Sequence, residues 1–104
     1  LGRRFTRDFE EMVAYLARNH DTVIEAVERM PGLSMLPAES TYLAWIDCRE
    51  AGLENPHEHF LRSGVALSDG ASFGAPGWVR LNFGCPRRML GEALSRMAEA
   101  LETR

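Results

Sequence analysis

Apolar residues recur at helical spacing from Asp8 to Met30: Phe9, Met12, Val13 and Leu16, then Val23, Ile24, Val27 and Met30. His20 falls on the same stripe, between Leu16 and Val23. Because the stripe stays in phase past Asn19-His20, the pattern predicts one helix rather than two with a fresh cap at Asp21. Over about 22 residues such a helix spans on the order of 30 Å, more than a small domain needs. Pro31-Gly32 ends it.

The pattern then changes. LSMLPAESTYLAWIDC offers two extended stretches on either side of Pro37, and Thr41 to Cys48 is rich in the strand formers Thr, Tyr, Trp and Ile. Asn55-Pro56 opens a short helix, PHEHFLRSG, which Gly64 stops. VALS (65–68) reads as a short strand, DGASFGAPG (69–77) as a glycine-rich loop, and Trp78 to Phe83 as a strand released by Gly84. A final helix begins at Pro86 with the stripe Met89, Leu90, Ala93, Leu94, Met97 and Leu101. The loop joining VALS to WVRLNF is too short for a helical crossover, so these strands pair antiparallel. The expected fold is α+β, a small antiparallel sheet covered on one face by helices.

At 104 residues the chain is one domain's worth (1–104), with the 45% hydrophobic content of an ordinary globular protein. No apolar run is long enough to span a membrane, and LGRRFTRDFEEM has no apolar core of a signal peptide. The chain does not begin with Met, which suggests a fragment of something larger. A net charge of −3 without a basic block argues against nucleic-acid binding. Cys48 and Cys85 make no disulfide framework and read as reduced thiols of a cytoplasmic protein. All 12 Lys+Arg residues are arginine, so the chain has no ε-amine with which to form a Schiff base.

Within PGWVRLNFGCPRR, residues Trp78, Arg80 and Asn82 share one face of an extended chain, and Val79, Leu81 and Phe83 share the other. A lone arginine in this setting is either a solvated surface charge or a fork aimed at an anion, for which its planar guanidinium suits a bidentate carboxylate clamp. The pattern leaves both readings open. The loop before it carries no phosphate-cradle fingerprint and reads first as a hairpin connection. His57 and His59, two apart on a helix, do not share a face, and no spacing completes a metal site. His20 reads as a partly buried core histidine, Glu10-Glu11 as a solvated helix start. Cys85 lies just before a helix N-terminus, where its pKa could be lowered, but no base stands near it in sequence. No nucleophile–base–orienter set can be assembled; the chain looks like half of a site.

ESTYLAWIDCRE, GVALSDGASFG and WVRLNFGCPRRMLGEAL together resemble the C-terminal small domain of fold-type-I pyridoxal-phosphate enzymes. Within that group they are most similar to the cystathionine β-lyase branch (MalY/PatB type) of the class I/II aminotransferase family, and the resemblance runs from about Phe9 to the end. It implies a large domain, absent here, that carries the Schiff-base lysine and binds pyridoxal phosphate. The small domain then contributes Arg80, in the motif Arg80-Leu81-Asn82-Phe83, as the ligand of the substrate α-carboxylate. Asn82, residues 40–42 (Ser40, Thr41, Tyr42) and residues 72–74 (Ser72, Phe73, Gly74) are implied to line its side of the cleft. The long first helix is implied to bridge the two domains. The resemblance further implies a small amino-acid substrate, a homodimeric full-length enzyme, and a fragment that binds no cofactor and is inactive alone. Three other readings fit the residues: an aminotransferase of the same fold, a free-standing regulatory module that binds an amino acid without chemistry, and a plain interaction domain that uses the long helix as a docking surface. An apolar stripe left exposed along 8–30 would count against a self-sufficient module.

Overall fold

A computed structural model describes residues 2–36 and 42–103, with side chains from Thr6 onward. Helix α1 (Gly2–Glu28) leads into strand β1 (Ser34–Leu36). Strand β2 (Leu43–Asp47), helix α2 (Pro56–Arg62) and strand β3 (Ser68–Asp69) follow. A short 3-10 turn (Gly70–Phe73), strand β4 (Trp78–Asn82) and helix α3 (Arg87–Glu102) complete the chain.

The four strands form one antiparallel sheet in the order β1-β2-β4-β3. Alternation along the two central strands sorts the side chains. Ala44, Ile46, Val79 and Leu81 point inward with Phe83, while Trp45, Trp78, Arg80 and Asn82 lie on the open face. Against the inner face pack Val23 and Val27 of α1, Phe60 of α2, and Leu90, Leu94, Met97 and Leu101 of α3. Among the described residues, helices thus cover one face of the sheet, as the sequence pattern predicts. Phe60 and Ile46 are fully buried, and truncating either to Ala costs roughly 2–5 kcal/mol.

The first helix is one continuous element across Asn19-His20, as expected, but it starts earlier and stops at Glu28, before Pro31. Its apolar stripe is not uniformly buried: Val23 and Val27 enter the core, whereas Phe9, Met12 and Val13 are about half exposed. The molecule is accordingly elongated, 51 × 27 × 20 Å. Helix α2 starts where the sequence places it. Asn55 caps it by accepting the Glu58 N–H at 3.2 Å, and Gly64 leaves it at φ 87°.

Three expectations need correction. Strand β3 is Ser68–Asp69 rather than 65–68; Val65 and Leu67 are buried in the core outside the ladder, with the Val65 N–H donating back to Phe60 O at 2.9 Å. The glycine-rich stretch is not merely a loop, since Asp69 caps a 3-10 turn by accepting the Ala71 N–H at 3.1 Å. Met89 on the α3 stripe is 60% exposed while the adjacent Leu90 is fully buried, because the buried arc of α3 runs through Leu90, Leu94, Met97 and Leu101 and leaves Met89 at its edge.

An open sheet face with one unsatisfied arginine

Cross-strand register sets a row of side chains across the open face: Leu36 beside Trp45, Trp45 beside Arg80, and Arg80 beside Ser68. The 3-10 turn brings Phe73 back over that row. Phe73 meets Trp45 edge-on at 5.7 Å, and the Arg80 guanidinium lies 4.5 Å from the Phe73 ring centre and 5.7 Å from that of Trp45. Two π-faces therefore hold the cation in place without neutralising it. The Arg80 Nε is buried with no hydrogen-bond partner.

A second arginine beside this face shows the alternative. Arg49 lies over Trp78 at 5.5 Å, but its fork is taken: Nε donates to Asp47 Oδ1 at 2.9 Å and Nη2 to Oδ2 at 2.8 Å. That hydrogen bonding lowers the Asp47 carboxyl below the ordinary carboxylate range despite partial burial. Among the described residues no carboxylate forms an ion pair with Arg80. A buried donor left unmatched costs about 1–3 kcal/mol, and an incoming carboxylate would relieve that cost.

The other expected site residues divide. Phe73 and Tyr42 are about half exposed, with Phe73 directly on Arg80. Tyr42 packs beside Gly84, and its carbonyl accepts the Phe83 N–H at 2.8 Å, which puts it at the Asn82 end of the face. Asn82 is exposed, but its side-chain oxygen accepts the Gly84 N–H at 2.8 Å and so shapes the strand exit. Ser72 is exposed in the 3-10 turn next to Phe73, and Gly74 closes that turn in the left-handed region. Ser40 and Thr41 lie outside the described residues.

Sequence reading overlooked Trp45 and Asn19. Trp45 read as a strand former, and only register places it under Arg80. Asn19 is fully buried while its neighbour His20 sits at the edge of the core against Phe83 at 5.6 Å. The Asn19 Nδ2 donates to the carbonyls of Phe83 at 2.9 Å and Cys85 at 3.2 Å, and Tyr15 OH donates to Cys85 O at 2.8 Å. Asn19 Oδ1 is buried without a partner. The signal was available: Asn19 stands three residues after Leu16 and four before Val23, within the buried arc of the stripe.

Neither thiol is activated. Burial pushes Cys48 up to about 12, with the Asp47 charge adding to it, and burial also raises Cys85. The expected lowering of the Cys85 pKa is therefore overturned: burial of the thiol raises it. His59 Nε2 lies 2.7 Å from Ala100 O and so ties α2 to α3. Among the described residues no three of His, Cys, Asp and Glu converge as a metal site, and no helix is long and apolar enough to cross a membrane.

Residues 2–97 match the family model for aminotransferase class I and II. The chain belongs to that family. It is 36% identical to the cystathionine β-lyase of Corynebacterium glutamicum, over 88% of this chain and 26% of the relative. It is 30% identical to a candidate aspartate/prephenate aminotransferase of Aquifex aeolicus, over 93% of this chain and 26% of that one. A candidate pyridoxal-phosphate-dependent β-cystathionase from Corynebacterium diphtheriae superposes with a TM-score of 0.86 at 43% identity, covering 95% of this chain and 28% of its own. The chain thus spans about a quarter of the length of these class I/II relatives. Among the described residues, Arg80 with its unmatched buried Nε is a group that could receive an anion such as a carboxylate. With arginine at every basic position, the covalent anchorage of pyridoxal phosphate is not among them.

Proposed function

We propose that this chain is the C-terminal small domain of a pyridoxal-phosphate-dependent C–S β-lyase acting on cystathionine-like amino acids, and that Arg80 binds the substrate α-carboxylate. The observation that carries the proposal is the Arg80 guanidinium, held between Phe73 and Trp45 with its buried Nε unmatched. A permanently charged fork in that position recognises a planar carboxylate through two parallel hydrogen bonds. Holding the carboxylate fixes the substrate's rotation about Cα, which decides the bond presented for cleavage. Phe73 and Trp45 restrict the guanidinium and exclude water from one side of it. Ser72 and Tyr42 border the same face, and Thr41 belongs with them on the family resemblance. Pyridoxal phosphate, when bound by the rest of the enzyme, supplies the electron sink for negative charge at Cα.

The half-exposed Phe9, Met12 and Val13 on α1 support a larger body packed against this chain in a full-length protein. They speak against the self-sufficient module. An aminotransferase is the second reading, favoured by the Aquifex aeolicus relative that matches 93% of this chain. The test uses the full-length protein loaded with pyridoxal phosphate and given L-cystathionine without a keto-acid acceptor. Equal amounts of pyruvate and thiol, largely lost in Arg80→Leu, are expected. Amino transfer on adding an acceptor, with no pyruvate before it, moves the protein to the aminotransferases. Inactivity in both assays overturns the catalytic reading, and a fully active Arg80→Leu overturns the carboxylate role.

A further inference from the structure

We propose that Tyr15 and Asn19 are positioning residues for Arg80, a clamp through which helix α1 sets the location of the carboxylate-binding strand. The inference rests on the carboxylate role of Arg80. The two side chains stand one helical turn apart on α1 and reach the same short piece of backbone. Tyr15 OH and Asn19 Nδ2 both donate to the Cys85 carbonyl, and Asn19 Nδ2 also donates to that of Phe83. Phe83 lies three residues beyond Arg80 along the same extended run, and its ring is buried in the core.

The piece so gripped is held from other sides as well. Phe83 N–H donates to Tyr42 O, and Gly84 N–H donates to Asn82 Oδ1, each at 2.8 Å. Arg87, in the first turn of α3, lies over the Tyr15 ring at 4.9 Å. A shift of α1 relative to the sheet must therefore drag the exit of β4, and with it Arg80. Packing alone does not account for Asn19. Its Oδ1 is buried without a partner, and an apolar side chain on this stripe would carry no such penalty. What Asn19 adds over a leucine is the pair of donated hydrogen bonds.

The clamp ties Arg80 to the helix whose other half is exposed. Where that half docks on the rest of the enzyme, the distance from the guanidinium to the substrate is set through Tyr15 and Asn19. Any motion of α1 then becomes a motion of Arg80.

The experiment titrates the full-length, pyridoxal-phosphate-loaded enzyme with L-alanine and, separately, with ethylamine, which is the same amine without the carboxylate. Binding is read from the absorbance of the bound cofactor in wild type, Tyr15→Phe, the double variant Tyr15→Phe/Asn19→Leu, and Arg80→Leu. The double variant is expected to bind L-alanine roughly tenfold more weakly, about the worth of one misplaced charge-assisted hydrogen bond. Its affinity for ethylamine is expected to be unchanged. Tyr15→Phe removes one donor and no ring, so it tests the inference even if the double variant does not fold, with a loss of roughly two- to threefold confined to L-alanine. Equal weakening for both ligands, or no change for either, overturns the clamp. If Arg80→Leu removes the preference for the carboxylate while the clamp variants keep it, this inference fails and the carboxylate role stands. If Arg80→Leu itself keeps the preference, the carboxylate role fails first.

Discussion

Trp45 and Arg80 are cross-strand partners on the open face of the sheet, and the guanidinium of one rests 5.7 Å from the ring centre of the other. The pairing is antiparallel and direct, so the cation and the indole stay in register as long as β2 and β4 do. Phe73 closes on the pair from the 3-10 turn, nearer to the cation at 4.5 Å. The arginine is thus held by rings on a strand scaffold, with its buried Nε unmatched among the described residues.

Replacing Phe73 with Leu keeps an apolar side chain but removes the π-face nearest Arg80. A cation–π contact at a half-exposed site is worth about 0.5–1 kcal/mol. In the full-length enzyme the substrate KM is expected to rise about two- to fivefold, with kcat moved less. Steady-state kinetics on Phe73→Leu check this; a fall in kcat at constant KM would assign Phe73 to some other part of the reaction.

Two glycines of the same loop are expected to behave differently. A Cβ on Gly70 would come within 2.4 Å of Ala75 O and 2.5 Å of Trp78 O, and backbone cannot yield as a side-chain tip does. Overpacking of this kind costs about 1–3 kcal/mol. That lowers the thermal midpoint of a domain this size by roughly 4–20 °C. Gly74, at φ 79° with open space around its Cβ position, meets no clash, and Asn, which tolerates the left-handed region better than most residues, should cost less there than Gly70→Ala. Thermal melts of Gly70→Ala and Gly74→Asn make the comparison.

Thiol labelling follows burial. Cys48 is 1% exposed with its pKa pushed up to about 12, and Cys85 is partly exposed with a raised pKa. At pH 8 the folded protein should label slowly at Cys85 and not at Cys48, with the Cys85 rate still climbing above pH 9. Denaturant should release the second thiol. Labelling of the Cys85→Ser variant, followed by mass spectrometry, separates the two sites.

Asp47 contributes an acid-sensitive increment of stability. Its pKa is lowered in the folded state by the Arg49 hydrogen bonds, so the increment is present above the unfolded carboxylate pKa of roughly 4. It is lost as pH falls through the lower folded value. Urea unfolding of wild type and Asp47→Asn at pH 7 and pH 3 should show a small gap at pH 7 that narrows at pH 3. A gap that widened in acid would contradict the assigned sign.

Local pattern alone determined much of this protein. The period of the Val23–Val27 stripe and of the Leu90–Leu101 stripe marks two helices. Asn55-Pro56 with Gly64 bounds the third, and alternation along Trp78–Phe83 already sets Arg80 opposite the core. These features are legible because each depends on backbone geometry over a few residues. The family resemblance implied a carboxylate role for Arg80, with Asn82, Thr41, Tyr42, Ser72 and Phe73 near it. Tertiary structure decided the rest, for a physical reason: register and packing join residues far apart in sequence. Only the β2–β4 ladder sets Trp45 under Arg80, and only the 3-10 turn after Asp69 folds Phe73 onto it. Asn19 reads as a weak point in a helix until the fold buries it 64 residues from the Phe83 carbonyl it binds. Phe9, Met12 and Val13 continue the same stripe as Val23 but remain exposed, because hydrophobic period sets which face of a helix is apolar, not how far the core extends along it.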